Sequence, residues 1–275
     1  MAKKPRSDQY NIRVVEKTIR VLRVLSDGRA RTLTDISQEV DINTSTTFRL
    51  LATLVNQNFL EVDDVTGRYQ LGFACLELAR SYQTGSELLR VARPQLKKLR
   101  DTTKETVHLA ALDGIEVVYL EKLEGLHAIG LMSSRVGRRA PAYCTGVGKA
   151  LLSHIDPEFI LENMKWGNLI RFNERTIIDP DELLEHFRET RRRGYALDEG
   201  EHEREVRCVA VPIFDQRGEA IAAVSVSGPK SRMDPIDQNE DLIQLTLHTA
   251  QEISERLGYR SYMKHKIGED NEKNH

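Results

Sequence analysis

Two helical patterns lie within residues 32–56, and only two residues separate them. In the first, TLTDISQEV, apolar residues recur at helical spacing behind Thr32, a candidate N-cap. Asn43, another favoured N-cap residue, begins the second, whose predicted apolar face is Phe48, Leu51 and Val55, with the neighbouring leucines alongside. Two short helices joined by a tight turn form the unit that places its second helix in the major groove of DNA.

The N-terminal end of the second helix reads NTSTTFRLL and is rich in hydroxyl side chains. An N-cap explains one of them, but Ser and Thr are mediocre helix formers in a helix interior. At the leading end of a recognition helix they can bond phosphates or base edges, and an arginine one turn later can reach guanine or phosphate. We therefore predict that the side chains contacting DNA from these two helices are Thr32, Asn43, Thr44, Ser45, Thr46, Thr47 and Arg49.

The flanking sequence completes a winged helix-turn-helix. Before the two patterns, apolar residues recur every three or four positions from 12 to 25, which predicts a helix with Ile12, Val15, Ile19, Leu22 and Leu25 on one face. After them, the alternating stretches LEV and YQL flank the turn DDVTG and predict a two-stranded wing. We expect Arg68, in the wing, to contact the DNA backbone or minor groove. A helical module that binds another protein is the alternative.

The distribution of charge is compatible with this interpretation and does not decide it. The net charge is −2, yet residues 1–31 hold nine Lys or Arg and three acidic residues. A basic front end can bind a polyanion, and it can equally be a solvated, partly disordered tail.

Composition excludes several classes of protein. With 275 residues, 40% hydrophobic and 30% charged, the chain is long enough for two ordinary domains. It contains neither a signal-like N-terminal stretch nor an apolar run of membrane-spanning length. Its three cysteines are far apart, and no His or Cys spacing matches a compact metal motif. We expect a cytoplasmic protein that has no metal, no cofactor and no membrane partner.

The rest of the chain divides into a connector and a second domain. We predict a DNA-binding domain over 1–72, linker helices over 73–102, an effector domain over 103–260 and a disordered tail over 261–275. The linker has an apolar face typical of a dimerisation element, although it could be a plain spacer, and Pro94 predicts a kink or break in it. Pairs of alternating strands flanked by helices predict an antiparallel α+β fold after it.

The stretch YCTGVGKALL includes GVGK but is not a nucleotide loop. The phosphate-loop pattern requires a glycine where Tyr143 stands and a hydroxyl residue where Ala150 stands. The dinucleotide pattern requires a glycine in place of Leu151. A helix beginning at this point would offer free backbone N–H groups to another anion, and glycines would let the ligand approach. The glycines could instead serve helix packing alone, and Lys149 could neutralise an acid or face solvent.

Taken in order, several long motifs resemble the IclR family of bacterial transcription regulators. They are NTSTTFRLLATL, GRYQLG, TVHLAAL, GRRAPAYCTGVGKALL, RCVAVPIFD and AAVSVSGP. Other stretches, such as SRVGRRAPAY, look most like the KdgR branch, which regulates the use of pectin-derived sugar acids. The resemblance implies a winged helix-turn-helix, a linker helix and a C-terminal GAF-like effector-binding domain, assembled as a dimer or a dimer of dimers.

The same resemblance implies which residues bind the effector, a small organic acid such as a keto or sugar acid. It implies apolar walls formed by Ile129, Met132 and Ala140, and backbone N–H donors at Gly146 and Val147. Asp198 and Cys208 would face hydroxyl or keto oxygens of the ligand, and the hydroxyls of Ser225 and Ser227 would donate to it. Val147 is bulkier than the residue common at its position and would narrow the site. Cys208 could instead be a small buried apolar residue, and the two serines could bond a neighbouring strand.

These features together predict a regulator that binds double-stranded operator DNA and is controlled by a small organic acid. We expect a repressor rather than an activator. An enzyme acting on a sugar acid is the rival interpretation, but Asp198, His202 and Cys208 form no catalytic signature. A sensor that acts only through protein partners is a third. Because Asp198 precedes the acid-rich EGEHERE, we expect the ligand carboxylate at the helix start and its hydroxyl end near Asp198.

Overall fold

The computed structural model describes residues 11–126 and 132–260. The chain divides into two compact units, and the boundary between them in the sequence lies between Ser86 and Glu87. The boundary falls inside the predicted linker, so the linker's first helix belongs to the N-terminal unit and its second to the C-terminal unit. Ile129 and the predicted tail over 261–275 lie outside the described residues.

The described part of the N-terminal unit has a helix-helix-helix-hairpin-helix order. Its elements are α1 (Arg13–Val24), α2 (Leu33–Glu39), α3 (Thr44–Asn56), β1 (Leu60–Val62), β2 (Tyr69–Leu71) and α4 (Phe73–Gly85). The two strands pair antiparallel with Glu61 opposite Gln70, as the alternating pattern predicts. The winged helix-turn-helix is therefore present.

Side-chain caps fix where α2 and α3 begin. The Thr32 hydroxyl accepts a hydrogen bond from the Asp35 N–H at 3.2 Å, and the Asp35 carboxylate accepts one from the Thr32 N–H at 3.0 Å. The Asn43 side chain accepts from the Thr46 N–H at 2.8 Å. Both predicted N-caps are confirmed. Between the helices, Asp41 adopts a left-handed backbone conformation with φ of 51°, which makes the short turn possible.

The buried face of α3 differs from the predicted one. Its buried residues are Thr47, Leu50, Leu51 and Leu54, which recur at the spacing of a single helical stripe. Phe48 is 54% exposed, so its predicted place in the core is wrong. The hydroxyl of Thr47 donates to the Asn43 carbonyl, which lets a polar residue occupy the core position.

Helices α1 and α4 leave apolar side chains exposed. The predicted apolar face is not buried at its N-terminal end, because Ile12, just before α1, and Val15 and Ile19, within it, are exposed; the buried residue of α1 is Val21. In α4, four large apolar side chains are exposed, and they are Phe73, Leu76, Leu78 and Tyr82.

The C-terminal unit is an antiparallel sheet with helices on both faces. Its elements are α5 (Glu87–Thr103), β3 (Thr106–Asp113), β4 (Glu116–Leu123), β5 (Arg139–Pro141), α6 (Gly146–Leu152), α7 (Pro157–Asn163), α8 (Pro180–Arg193), β6 (Ala196–Asp198), β7 (Val206–Phe214), β8 (Ala220–Pro229), α9 (Lys230–Met233) and α10 (Glu240–Arg256). The strand order is β5-β4-β3-β8-β7-β6. This confirms the predicted α+β class. Helix α5 continues through Pro94, so the helix is not broken there.

Alternation along the strands sends side chains to two separate cores. One face, with Leu109, Val209 and Val226, packs with buried residues of α5 and α10. The other face carries the small residues Ala210 and Ala223 and packs with α6 and α8. Small side chains on this second face leave room for α6 to approach the sheet and for a cavity beside it. Among the described helices, none is both long and apolar enough to cross a lipid bilayer.

Candidate functional site

Helix α3, the predicted recognition helix, presents polar side chains to solvent at its N-terminal end. Thr44, Ser45 and Arg49 are exposed and Thr46 is half-buried, while Asn43 remains exposed as the cap. Thr47 has no exposed surface, so its predicted contact with DNA is excluded in this conformation and its role is to hold the helix start. A helix whose capped end shows hydroxyls and an arginine can donate to phosphates and base edges.

Thr32 and Arg68, the two predicted DNA-contacting residues outside α3, have structural partners. Thr32 is half-buried in its capping box. Arg68 is exposed and donates to the Ala30 carbonyl at 3.2 Å, which ties the wing to the segment before α2. Both remain at the surface of the unit, where DNA can reach them.

A cavity of about 170 Å³ lies in the C-terminal unit, between the start of α6, the sheet and the segment 132–141. The structure brings eight of the predicted effector residues to its walls: Met132, Ala140, Gly146, Val147, Asp198, Cys208, Ser225 and Ser227. A cavity of ~150 Å³ holds a benzene ring. The space therefore suits a small acid.

The strand register explains why residues so distant in sequence share this cavity. Asp198 lies directly opposite Cys208, and Cys208 lies opposite Ser227 on the next strand. Ser225, two residues before Ser227 on the same face, lies opposite His108. Two rows of cross-strand neighbours, one through Asp198, Cys208 and Ser227 and the other through Ser225 and His108, thus cross the cavity floor.

A histidine lies at the centre of the hydrogen bonds in this floor. His108 Nε2 is 2.9 Å from the Ser134 hydroxyl, and Nδ1 is 3.4 Å from each of the Ser225 and Ser227 hydroxyls. The ring is buried, and burial together with the nearby charge of Lys122 lowers the pKa of His108 to about 3. The imidazole is therefore neutral near pH 7.

Asp198 is held at the cavity wall by the backbone that follows it. Its carboxylate accepts hydrogen bonds from the Gly200 N–H at 3.0 Å and the Glu201 N–H at 2.9 Å. Burial raises the pKa of Asp198, while the charge of Lys149 and these two N–H groups oppose that rise. The remaining carboxylate oxygen can accept from a ligand hydroxyl.

Lys149 is completely buried and pairs with the carboxylate of Glu201, whose side chain is also buried. Of the two alternatives for this lysine, neutralisation of an acid is confirmed and exposure to solvent is wrong. The second carboxylate oxygen of Glu201 has no hydrogen-bond partner within the described residues. The ion pair fastens α6 to the segment after β6, and Lys149 is not among the cavity-lining residues.

The two glycines of GVGK have different roles. A Cβ on Gly148 would lie 2.2 Å from the Ala142 carbonyl oxygen, so this glycine is required by backbone packing. A Cβ on Gly146 would lie 2.7 Å from the Cys208 sulfur, at the cavity floor. The Thr145 hydroxyl donates to Pro141 and does not cap α6, which leaves first-turn N–H groups without an intrahelical acceptor.

Comparison with known proteins identifies the chain. The profile described as "Bacterial transcriptional regulator IclR C-terminal" matches residues 80–255, and the "IclR helix-turn-helix domain" matches residues 14–64. The chain belongs to the IclR family. It is a DNA-binding transcriptional regulator with an effector-binding domain, and the matched families are regulators, which disfavours the enzyme alternative.

Curated IclR-family relatives align over most of their length. The HTH-type transcriptional regulator KdgR of Escherichia coli K12 is 33% identical over 90% of this chain and 94% of its own. The HTH-type transcriptional repressor AllR of the same strain is 32% identical over 92% of this chain and 93% of its own. An IclR homologue from Microbacterium hydrocarbonoxydans, solved with 4-hydroxybenzoate, has a TM-score of 0.76 and 30% identity, covering 89% of this chain and 98% of that one.

Several residues that line this cavity were not predicted from the sequence as effector-binding residues. His108, Tyr119 and Glu203 line it, and Glu203 accepts from both the N–H and the hydroxyl of Ser133. The alternation in TVHLAAL placed His108 on one face of a strand, but the partner strand and its register were needed to set it beside the serines. No cluster of potential metal ligands occurs among residues 11–126 and 132–260.

Proposed function

We propose that this IclR-family protein is a repressor whose affinity for operator DNA is controlled by a small organic acid bound in the cavity of the C-terminal unit. The observation that carries the proposal is the convergence of Gly146, Asp198, Cys208, Ser225 and Ser227 on one cavity of ligand size. AllR, which is similar over most of its length, is named a repressor. The Microbacterium homologue holds 4-hydroxybenzoate, which is also an organic acid.

The charges around the cavity support one ligand orientation. The start of α6 contributes the N–H groups of Gly146 and Val147, and Arg138 also lines the cavity. Asp198 lies on the wall as a hydrogen-bond acceptor. A carboxylate is favoured near the donors, and a hydroxyl near Asp198, because two carboxylates would repel each other. Val147 limits the width of the site.

Control of operator binding requires the acid to distinguish two states of the protein. If the acid binds the DNA-free state ~100-fold more tightly than the DNA-bound state, the coupling is about 2.7 kcal/mol. A ligand with equal affinity for both states would change nothing. We infer that the acid binds the DNA-free state more tightly, as expected for a repressor that its effector releases from DNA. A co-repressor would bind the DNA-bound state more tightly.

We further propose that the working form is a homodimer, or a dimer of dimers. Exposed apolar side chains on α1 and α4, including Val15, Ile19, Phe73 and Leu76, support this proposal, because water contact with so many large apolar groups is unfavourable. Two copies would also present two recognition helices to a two-fold symmetric operator. The protein would act in the cytoplasm, where its operator lies.

A gel-shift titration tests the proposal. The DNA that flanks the protein's own gene is titrated with the protein, with and without pyruvate, D-gluconate, 2-keto-D-gluconate, D-galacturonate and 4-hydroxybenzoate. We expect specific, salt-sensitive binding that at least one acid weakens. Binding that no acid alters would contradict effector control, and tighter binding with an acid would show a co-repressor. Absence of salt-dependent DNA affinity would support a sensor that acts through protein partners.

A further inference from the structure

His108 connects two walls of the cavity through its two ring nitrogens. Nδ1 faces the hydroxyls of Ser225 and Ser227 on β8, and Nε2 faces the hydroxyl of Ser134 in the segment between β4 and β5. Ser134 is itself held in place, because the Lys122 ammonium donates to its carbonyl at 3.0 Å. Both sides of the imidazole are therefore fixed by residues that line or support the cavity.

A neutral imidazole can donate a hydrogen bond from only one of its two nitrogens. If Nε2 carries the proton and donates to Ser134, then Nδ1 accepts one hydroxyl proton from Ser225 or Ser227. Only the other serine is then free to donate to a ligand. If Nδ1 carries the proton, both serine hydroxyls are free to donate. The tautomer of His108 therefore determines how many donors the floor offers.

This difference matches the difference between two classes of acid. A 2-oxo acid offers acceptors alone at its carboxylate and keto oxygens, and it is best matched by two donating serines. A 2-hydroxy acid offers an acceptor and a hydroxyl donor, and it is best matched by one donating and one accepting serine. We propose that His108 is a positioning residue that determines whether the cavity prefers a 2-oxo or a 2-hydroxy acid. It does so by fixing which of the Ser225 and Ser227 hydroxyls donate to the ligand. This proposal rests on the proposed function of the cavity as an acid site.

Two conservative variants separate the contacts of the ring. His108→Asn places a polar atom close to the position of Nδ1 and keeps a partner for the serines, but it is too short to reach Ser134. His108→Gln places its polar end near the position of Nε2, and it keeps a partner for Ser134 while leaving the serines unrestrained. A purely structural role for the ring would not distinguish the serine side from the Ser134 side.

The test uses matched acids that differ only at C2, pyruvate with L-lactate and 2-keto-D-gluconate with D-gluconate. Isothermal titration calorimetry on the full chain gives the affinity ratio within each pair for wild type and both variants. We expect wild type to prefer one member of a pair by about fivefold or more, the free energy of one net hydrogen bond. His108→Gln should bring the ratio close to 1, and His108→Asn should keep most of it. Operator binding and thermal unfolding serve as controls for folding.

Several results would overturn the inference. One is a wild type that binds both members of each pair equally; another is a ratio unchanged in His108→Gln; a third is an equal loss of affinity for every acid in both variants. If His108→Gln fails to fold, His108→Leu replaces it, because it fills the space of the ring without offering the serines a hydrogen-bond partner and should also move the ratio toward 1. A wild type that binds operator and D-galacturonate or 4-hydroxybenzoate, but none of the four matched acids, would refute this inference and leave the acid site standing. A wild type that binds operator but no acid of either set would refute the acid site itself, and with it this inference.

Discussion

Replacement of Lys149 by methionine tests how much the buried ion pair contributes to the C-terminal unit. Methionine is close to lysine in length and keeps the apolar contacts of the side chain, but it removes the charge. In the wild type, Lys149 has no exposed surface and its ammonium contacts one oxygen of Glu201. The other oxygen of Glu201 is buried without a partner among the described residues. The variant therefore leaves a buried carboxylate uncompensated.

The expected loss is large and depends on pH. Removing one partner of a buried pair costs about 3–5 kcal/mol. Burial raises the pKa of Glu201 even though Lys149 opposes the rise, so the pKa must increase further without the lysine. A raised carboxyl pKa contributes stability below the unfolded-state value and loses it as pH rises through the folded value. The deficit of the variant relative to wild type should thus grow as pH rises, by about 1.4 kcal/mol per added pKa unit.

Urea unfolding at pH 6 and pH 8.5 measures this loss. Trp166 is the single tryptophan of the chain and lies in the C-terminal unit, so its fluorescence reports that unit. Lys165→Met is the matched control, because Lys165 is exposed and its replacement should change stability by no more than about 0.5 kcal/mol. A Lys149→Met loss below about 1 kcal/mol, or a loss that does not grow with pH, would refute the account of this ion pair.

Three further predictions concern the two sites. Arg49→Ala should weaken operator binding in anisotropy titrations about tenfold and leave acid affinity unchanged, and an equal loss of both would contradict a division of labour between the units. Asp198→Asn should weaken calorimetric binding of D-gluconate, since an acceptor for its hydroxyls is lost; unchanged affinity for every hydroxylated acid would exclude the proposed orientation. Gly148→Ala should destabilise the C-terminal unit by more than about 2 kcal/mol in urea unfolding, because its Cβ would meet the Ala142 backbone at 2.2 Å. A stable variant would show that α6 can move away from that segment.

Local signals in the sequence were sufficient for the elements of the N-terminal unit. Thr32 and Asn43 are residue types that favour the N-cap position, and the connection between α2 and α3 is short. Both helices could therefore be predicted from neighbouring residues. Which face of α3 is buried depends on the elements around it. Thr47 entered the core because its hydroxyl bonds back to the Asn43 carbonyl, and Phe48 did not. Periodicity alone could not distinguish these two neighbours.

The cavity depended on long-range register, which a single sequence does not contain. Ser225 and Ser227 could be placed on one face because they are two residues apart on a strand. That His108 lies opposite Ser225 required the pairing of β3 with β8, which are separated by more than a hundred residues. Burial of Lys149 was equally hidden, because its partner Glu201 lies in an acid-rich stretch that is expected to be solvated.

The measurement that most directly tests the central claim is a reciprocal binding experiment with wild-type protein. Operator affinity is measured by fluorescence anisotropy without acid and with a saturating concentration of the tightest-binding acid of the panel. Affinity for that acid is then measured by calorimetry without and with saturating operator DNA. We predict that both affinities fall by the same factor, since coupling between two sites is reciprocal. An acid that binds with micromolar or better affinity, yet leaves operator affinity unchanged, would contradict the account.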